Sequence, residues 1–166
     1  TSGGVTLDLN LNVFNTGVRT IDLSADTDAT GTNSVSVSGA SATQNITVIG
    51  SAGVDSLTGG AGADSIRAGE GNDTLSGGSG NDILLAEGGT DRLIGGTGVD
   101  TLTGGAGVDT FVEDGSALTV NGNVVTGFDL ITDFTNTIDV LTFNAATGAV
   151  PTMLRGTLAN GQFTIG

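Results

Sequence analysis

The chain has 166 residues, with no cysteine and no histidine, and its 18 acidic residues against four basic ones give a formal net charge of −14 at pH 7. This charge argues against nucleic acid as a partner, because binding phosphates requires a basic face. Without cysteine and histidine, the chain also lacks the usual ligands of zinc, copper and iron sites.

The composition also argues against an enzyme. Histidine, cysteine, lysine and tyrosine are all absent, so the chain lacks most of the usual general bases and activated nucleophiles. No stretch approaches the roughly 18 consecutive apolar residues that indicate a membrane-spanning helix. We therefore expect no catalytic residues and no membrane span in this segment. The chain begins at Thr1 rather than at Met, and we expect it to be part of a longer protein.

The first 49 residues contain short runs in which polar and apolar residues alternate. This period of two is typical of half-buried strands, and loops rich in Gly, Asn, Asp, Ser and Thr separate the runs. We expect irregular β coils that stack beneath a regular repeat array beginning at Gly50. The runs are Val5–Leu11, Thr20–Ser24, Ser34–Ser38 and Asn45–Ile49.

Residues 26–31 have the spacing D-x-D-x-T-G, which is similar to the start of an EF-hand calcium loop. The acidic residue that should close such a loop is missing, because position 37 is Val. The favoured interpretation of Asp26 and Asp28 is a solvated surface loop, with an additional calcium site as the alternative.

Seven consecutive nine-residue units run without a gap from Gly50 to Val112. Each unit has Gly at its fourth place, Asp at its sixth and a large apolar residue at its eighth. A flexible Gly/Asp-rich linker has no reason to keep an apolar residue at every ninth position. The fourth places are Gly53, Gly62, Gly71, Gly80, Gly89, Gly98 and Gly107; the sixth are Asp55, Asp64, Asp73, Asp82, Asp91, Asp100 and Asp109; the eighth are Leu57, Ile66, Leu75, Leu84, Leu93, Leu102 and Phe111.

The unit itself predicts a turn followed by a very short strand. Glycines at places one, two and four permit positive φ and a sharp turn. The three residues that begin after each Asp, such as Ser56-Leu57-Thr58, alternate polar-apolar-polar, so that one side chain per unit faces inward. Two units complete one coil, and stacked coils form two parallel sheets that enclose a thin apolar core.

Stacking brings the aspartates of every second unit to the strand spacing of roughly 4.7–4.9 Å. Two unit charges at that separation repel each other by about 1 kcal/mol in water and by roughly 3–4 kcal/mol at an effective dielectric constant near 20. A hard divalent cation relieves this repulsion, and sites built only of oxygen ligands suit calcium better than magnesium. The repeat therefore predicts a calcium-binding module.

The pattern G-G-x-G-x-D-x-U-x is similar to the calcium-binding nonapeptide repeat of RTX proteins. The resemblance implies an all-β fold, a right-handed parallel β-roll or β-helix of stacked nonapeptide coils. It also implies that each ion lies between one turn and the turn two units later. The earlier turn provides the carbonyls of places two and four and the carboxylate of place six. The later turn provides the carbonyls of places one and three and again the carboxylate of place six.

Transferred to this chain, the resemblance implies about five calcium ions in two rows. The units depart from the motif at Ser51, Ala68, Ala86 and Glu87, where Gly is expected. These positions provide only backbone oxygens, so the ligand sets remain complete. The five sets are Ser51, Gly53 and Asp55 with Ala68, Glu70 and Asp73; Gly60, Gly62 and Asp64 with Gly77, Ser79 and Asp82; Gly69, Gly71 and Asp73 with Ala86, Gly88 and Asp91; Gly78, Gly80 and Asp82 with Gly95, Thr97 and Asp100; and Glu87, Gly89 and Asp91 with Gly104, Ala106 and Asp109.

Residues 113–166 differ in composition from the array, since five of the six Phe residues of the chain lie at or after Phe111. The runs 128–134 and 138–143 resemble the D-x-I-x-D-F…D-x-L element that follows RTX repeats as a β cap, which an open last coil requires. Asp129, Asp133 and Asp139 either bind a further ion or are solvated carboxylates at strand ends. A regular sixth site is less favoured, because the nonapeptide register after Val112 places Leu118 where Asp is needed.

The sequence is compatible with three functions. The leading interpretation is a structural module of a secreted bacterial cell-surface protein, of surface-layer or adhesin type, that folds on calcium binding after type I secretion. The alternative is the C-terminal export and folding module of a secreted enzyme such as a serralysin-like protease or a lipase. Ice binding is the third, but places three and five of the units do not form the regular Thr and Asn array that it needs. Self-assembly or cell-surface partners would act through the parent protein.

Overall fold

A computed structural model of the protein describes residues 4–9, 19–27, 30–37, 44–113, 119–121, 124–126, 129–135, 138–143, 156–159 and 162–165. All regular elements in these ranges are strands, and none of their residues forms a helix long and apolar enough to cross a membrane. The strands are β1 Thr6–Leu9, β2 Thr20–Asp22, β3 Thr32–Val37, β4 Thr47–Ile49, β5 Val54–Ala61, β6 Ser65–Glu70, β7 Thr74–Ser79, β8 Ile83–Gly89, β9 Arg92–Thr97, β10 Thr101–Gly107, β11 Thr110–Glu113, β12 Thr119–Asn121, β13 Val124–Thr126, β14 Leu130–Ile131, β15 Val140–Phe143, β16 Gly156–Ala159 and β17 Gln162–Ile165.

Two parallel sheets form the body of the fold. Sheet A has the strand order β1-β3-β5-β7-β9-β11-β15, and sheet B has the order β14-β10-β8-β6-β4-β2. Successive nonapeptides contribute strands to the two sheets in turn, so that two units make one coil. Within sheet A, Leu57 pairs with Leu75 and Leu75 with Leu93, which are residues of every second unit. The predicted all-β parallel roll is confirmed.

The core is a single apolar column between the two sheets. The strands show an alternating burial pattern, and the eighth-place side chain of every unit is at most 1% exposed. Val35 and Val48 extend this column at the N-terminal side, and Ile131 and Phe134 extend it after the array. The ring of Phe134 packs against that of Phe111 with centroids 6.0 Å apart. Each such burial stabilises the fold by roughly 1.5–3 kcal/mol.

Strands on both sides of the array continue the same two sheets. β1 pairs with β3 and β3 with β5, while β2 pairs with β4 and β4 with β6. After the array, β14 adds to β10 and β15 adds to β11. β12 with β13 and β16 with β17 form two separate antiparallel pairs. All four strands predicted before Gly50 are present in shortened or shifted form, although residues 10, 11 and 38 of those runs lie outside the described ranges.

Candidate metal centre

The sixth-place aspartates are buried, which is unusual for charged side chains. All seven have a relative exposure of 2% or less. They form two rows that follow from the alternation of strands between the sheets. Row A lies at the starts of strands in sheet A and contains Asp55, Asp73, Asp91 and Asp109. Row B lies at the starts of strands in sheet B and contains Asp64, Asp82 and Asp100.

In each of the six aspartates after Asp55, one carboxylate oxygen accepts a backbone N–H of the neighbouring coil. In row A, the N–H of Asp55 donates to Oδ1 of Asp73 at 2.8 Å, and the N–H of Asp73 donates in the same way to Asp91. In row B, Asp64 donates to Asp82 and Asp82 to Asp100, each at 2.8 Å. Each row is therefore a hydrogen-bonded ladder in which Oδ1 is satisfied by the protein.

The second carboxylate oxygen is in a different situation. Oδ2 of Asp64, Asp73, Asp82 and Asp91 is fully buried and accepts no hydrogen bond from the described residues. A buried acceptor without a partner costs about 1–3 kcal/mol, and more when it carries charge. Four such oxygens at equivalent places of consecutive units indicate a ligand that the protein itself does not supply.

The raised pKa values of aspartates in the two rows also favour a bound cation. The pKa values of Asp73 and Asp82 are raised from 3.8 to about 7, chiefly by burial and also by the charges of neighbouring aspartates, although a backbone N–H hydrogen bond lowers each of them. Burial raises the pKa of Asp64 and Asp91 to about 6. Full ionisation of these carboxylates at neutral pH lowers the stability of the fold, and a bound cation removes this loss.

Backbone carbonyls of the later turn face the same space as these oxygens. A Cβ on Gly59 would lie 2.5 Å from Oδ2 of Asp64 and 2.7 Å from the carbonyl oxygen of Gly77, so only glycine fits there. The N–H of Gly62 also donates to the carbonyl of Ser79 at 2.9 Å. The structure thus brings Gly62 and Asp64 close to Gly77 and Ser79, which are four of the six residues of the second predicted ligand set.

The third and fourth predicted sets show parts of the same arrangement. The N–H of Gly71 donates to the carbonyl of Gly88, and that of Gly80 donates to the carbonyl of Thr97, both at 2.8 Å. No three acidic side chains of the described ranges converge on one point, so a metal here depends on carbonyl ligands as well as on carboxylates. Such a mixture of oxygens suits calcium.

The residues that replace glycine in the motif fit into their turns in different ways. Ala68 and Ala86 are small enough to be buried in the core, at 1% and 0% exposure. Glu87 has φ = +78°, and it is the only non-glycine residue with positive φ in the described ranges. Nε of Arg67 donates to Oε1 of Glu87 at 2.7 Å, which orients this side chain at the surface.

The sequence left the role of the carboxylates after Val112 open, and the structure places two of them in the rows. Oδ1 of Asp129 accepts the N–H of Asp100 at 2.9 Å, and Oδ1 of Asp139 accepts the N–H of Asp109 at 3.0 Å. Asp133 accepts the N–H groups of Gly104 and Gly105. Asp129 and Asp139 therefore continue rows B and A after a change in nonapeptide spacing. The resemblance of residues 128–143 to the D-x-I-x-D-F…D-x-L element indicates these positions in the sequence. Continuing the nonapeptide count beyond Val112 gives Leu118 instead, which lies outside the described residues.

Two rows of buried carboxylates along the turns of a parallel β-roll are typical of cation-binding repeat modules. A family model for the RTX calcium-binding nonapeptide repeat (4 copies) matches residues 49–84 and 85–112. Residues 49–112 of this chain are thus an array of RTX calcium-binding repeats, and this repeat domain is a structural β-roll rather than a catalytic fold. Comparisons with curated proteins and with solved structures gave no match.

Proposed function

We propose that this chain is a calcium-dependent structural module in which the ions occupy the positions faced by the unpartnered Oδ2 oxygens. The second to fifth predicted ligand sets each begin with one of Asp64, Asp73, Asp82 and Asp91. Oδ2 of each of these four aspartates is buried and accepts no hydrogen bond from the described residues, and this observation carries the proposal.

The ions would make folding conditional on calcium. Ordering each residue costs roughly 1–2 kcal/mol of backbone entropy, and one buried apolar side chain per nine residues offsets only part of that. Repulsion within the rows and the unpartnered buried oxygens add to the cost of the metal-free roll. Since the sites exist only in the folded state, the free energy of calcium binding stabilises the roll directly.

We further propose that the parent protein is a secreted bacterial surface protein of surface-layer or adhesin type. The scarcity of aromatic and basic residues supports this proposal, as do the additional coils formed by β1 to β4 before the array. A chain that stays unfolded at low calcium inside the cell passes a type I export channel and folds outside. Residues 113–166 would act as the cap, which β14 and β15 support by covering the last strands of both sheets.

The second candidate is the export and folding module of a secreted enzyme. The regular roll suits this role equally well, because export and folding require only the calcium switch. The sequence of the rest of the parent gene separates the two candidates. A catalytic domain in the same reading frame would favour the enzyme, and further β-rich repeats would favour the surface protein.

Far-UV circular dichroism tests the module itself. We expect a disordered spectrum for the 166-residue chain in excess chelator and a β spectrum after calcium is added. Magnesium at the same concentration should not replace calcium, because it requires stricter octahedral geometry and retains its waters. A β spectrum that persists after complete removal of metal would contradict the proposal.

A further inference from the structure

The first turn of the array differs from all the others at Asp55. Ser51 stands at place two, where the motif has Gly, and its N–H donates to Oδ2 of Asp55 at 2.7 Å. Its hydroxyl lies 3.1 Å from each oxygen of the same carboxylate. A carboxylate only accepts hydrogen bonds, so the hydroxyl donates to it. The oxygen that has no partner in Asp64, Asp73, Asp82 and Asp91 therefore has two protein donors in Asp55.

The backbone of this turn also has a different conformation. In units two to seven, the residues at places two and four all have positive φ. Neither Ser51 nor Gly53 does, although both are described. A change in φ rotates the preceding peptide plane, and in this turn the N–H of Ser51 faces the carboxylate of Asp55. The N–H of Gly53 donates to Oγ of Ser51 at 3.2 Å, whereas those of Gly62, Gly71 and Gly80 donate to carbonyls of the turn two units later.

A neutral residue ends row A immediately before this turn. Asn33 pairs in register with Asp55 and is 1% exposed, so it occupies the place that a preceding aspartate would have. Its Oδ1 accepts the N–H of Val5 at 2.8 Å. Its Nδ2 donates to Oγ of Ser51 at 2.9 Å and lies 3.2 Å from Oδ2 of Asp26. The network Asn33–Ser51–Asp55 is thus built entirely of protein groups.

We infer that this network is a metal-free N-terminal cap of row A, and that the turn at Asp55 takes no calcium ion. The inference rests on the proposed function, since it concerns where the ion rows begin. The N–H and O–H of Ser51 bring positive dipole ends to the carboxylate from within the turn, and their hydrogens occupy the approach to Oδ2. In this turn, Ser51 and Asn33 stabilise the backbone as calcium does in the later turns. Calcium loading on this side of the roll then begins at Asp73.

Counting ions in two matched variants tests this inference. Asp55→Asn and Asp64→Asn each alter the first aspartate of a row and keep the size of the side chain. Native mass spectrometry of the full chain in saturating calcium gives the number of bound ions for each variant. We expect Asp64→Asn to lose about one ion relative to the unmodified protein and Asp55→Asn to lose none. Loss of an ion from Asp55→Asn would overturn the inference and leave the proposed calcium function intact.

A variant that should gain a calcium site tests the inference even if Asp55→Asn fails to fold. Ser51→Gly removes the hydroxyl and gives place two the conformational freedom of the other units. We expect this variant to bind about one ion more than the unmodified protein. An unchanged ion count would show that Ser51 does not close the turn. If the unmodified chain binds no calcium at all, the proposed function itself fails, and the two failures are thereby distinguishable.

Discussion

The backbone N–H of Asp64 donates a 2.8 Å hydrogen bond to Oδ1 of Asp82, eighteen residues later in the chain. The other oxygen of Asp82 is buried and accepts no hydrogen bond from the described residues. In the proposed assignment, one carboxylate thus fixes the stacking of the turns through Oδ1 and binds calcium through Oδ2. Asp suits place six because its carboxylate has two equivalent acceptor oxygens. One can accept the backbone N–H of the neighbouring turn while the other binds the ion.

The position of an aspartate within its row should determine how much calcium binding it supports. In the proposed assignment, Asp82 contributes to two ion sites and Asp64 to one. We expect Asp82→Ala to raise the calcium concentration at the folding midpoint more than Asp64→Ala does, because it disrupts the middle of the stack. The pair is matched, since each substitution also removes one Oδ1 acceptor of a backbone N–H, that of Asp64 and that of Ile46 respectively. Calcium titrations followed by circular dichroism give the midpoints, and equal values would mean that the ions do not bridge turns two units apart.

Acid should partly replace calcium. The pKa of Asp73 and of Asp82 is about 7 in the metal-free roll, against 3.8 as the ordinary value. Between these values the folded state binds protons that the unfolded state has released, so the stability of the metal-free roll falls as the pH rises from about 4 to about 7. We expect the calcium-depleted chain to gain β structure as the pH is lowered from about 8 to about 4. Circular dichroism measures this, and Asp73→Asn with Asp82→Asn should reduce the pH dependence. An increase of disorder on acidification would contradict the electrostatic explanation.

Replacing Glu87 by glycine should give a more stable roll than replacing it by alanine. A left-handed conformation costs a non-glycine residue roughly 1–2 kcal/mol, and Glu87 has φ = +78°. Both substitutions remove the exposed contact with Arg67, so their difference reports on the backbone alone. We expect Glu87→Gly to have a free energy of unfolding about 1 kcal/mol higher than Glu87→Ala in excess calcium. Urea unfolding measures the difference, and equal stabilities would argue against the left-handed turn.

Two neighbouring residues of β8 should respond very differently to truncation. Leu84 is 0% exposed in the core column, whereas Ile83 is 55% exposed on the outer face of sheet B. We expect Leu84→Ala to lower the free energy of unfolding by about 2–5 kcal/mol and Ile83→Ala to change it by about 0.5 kcal/mol or less. Urea unfolding at saturating calcium compares them. Similar losses for both would mean that the strand is in the wrong register.

Much of the regular array could be predicted from the sequence, because its geometry is local and repeated. Asp at place six and an apolar residue at place eight, such as Asp73 and Leu75, determine one turn and one inward side chain in each unit. The strand period then leaves only one way for the units to stack. The buried column of eighth-place residues and the two parallel sheets follow from that spacing alone.

The ends of the rows depend on contacts between residues far apart in the chain, and these required the tertiary structure. Asn33 lies in register with Asp55, and Asp129 accepts a hydrogen bond from Asp100 across 29 positions. Neither spacing is a multiple of nine, so counting along the repeat does not find them. The sequence by itself determined which residues are repeated, while the sheets decided which residues outside the repeat join the rows, because hydrogen bonding between strands depends on spatial register and not on chain distance.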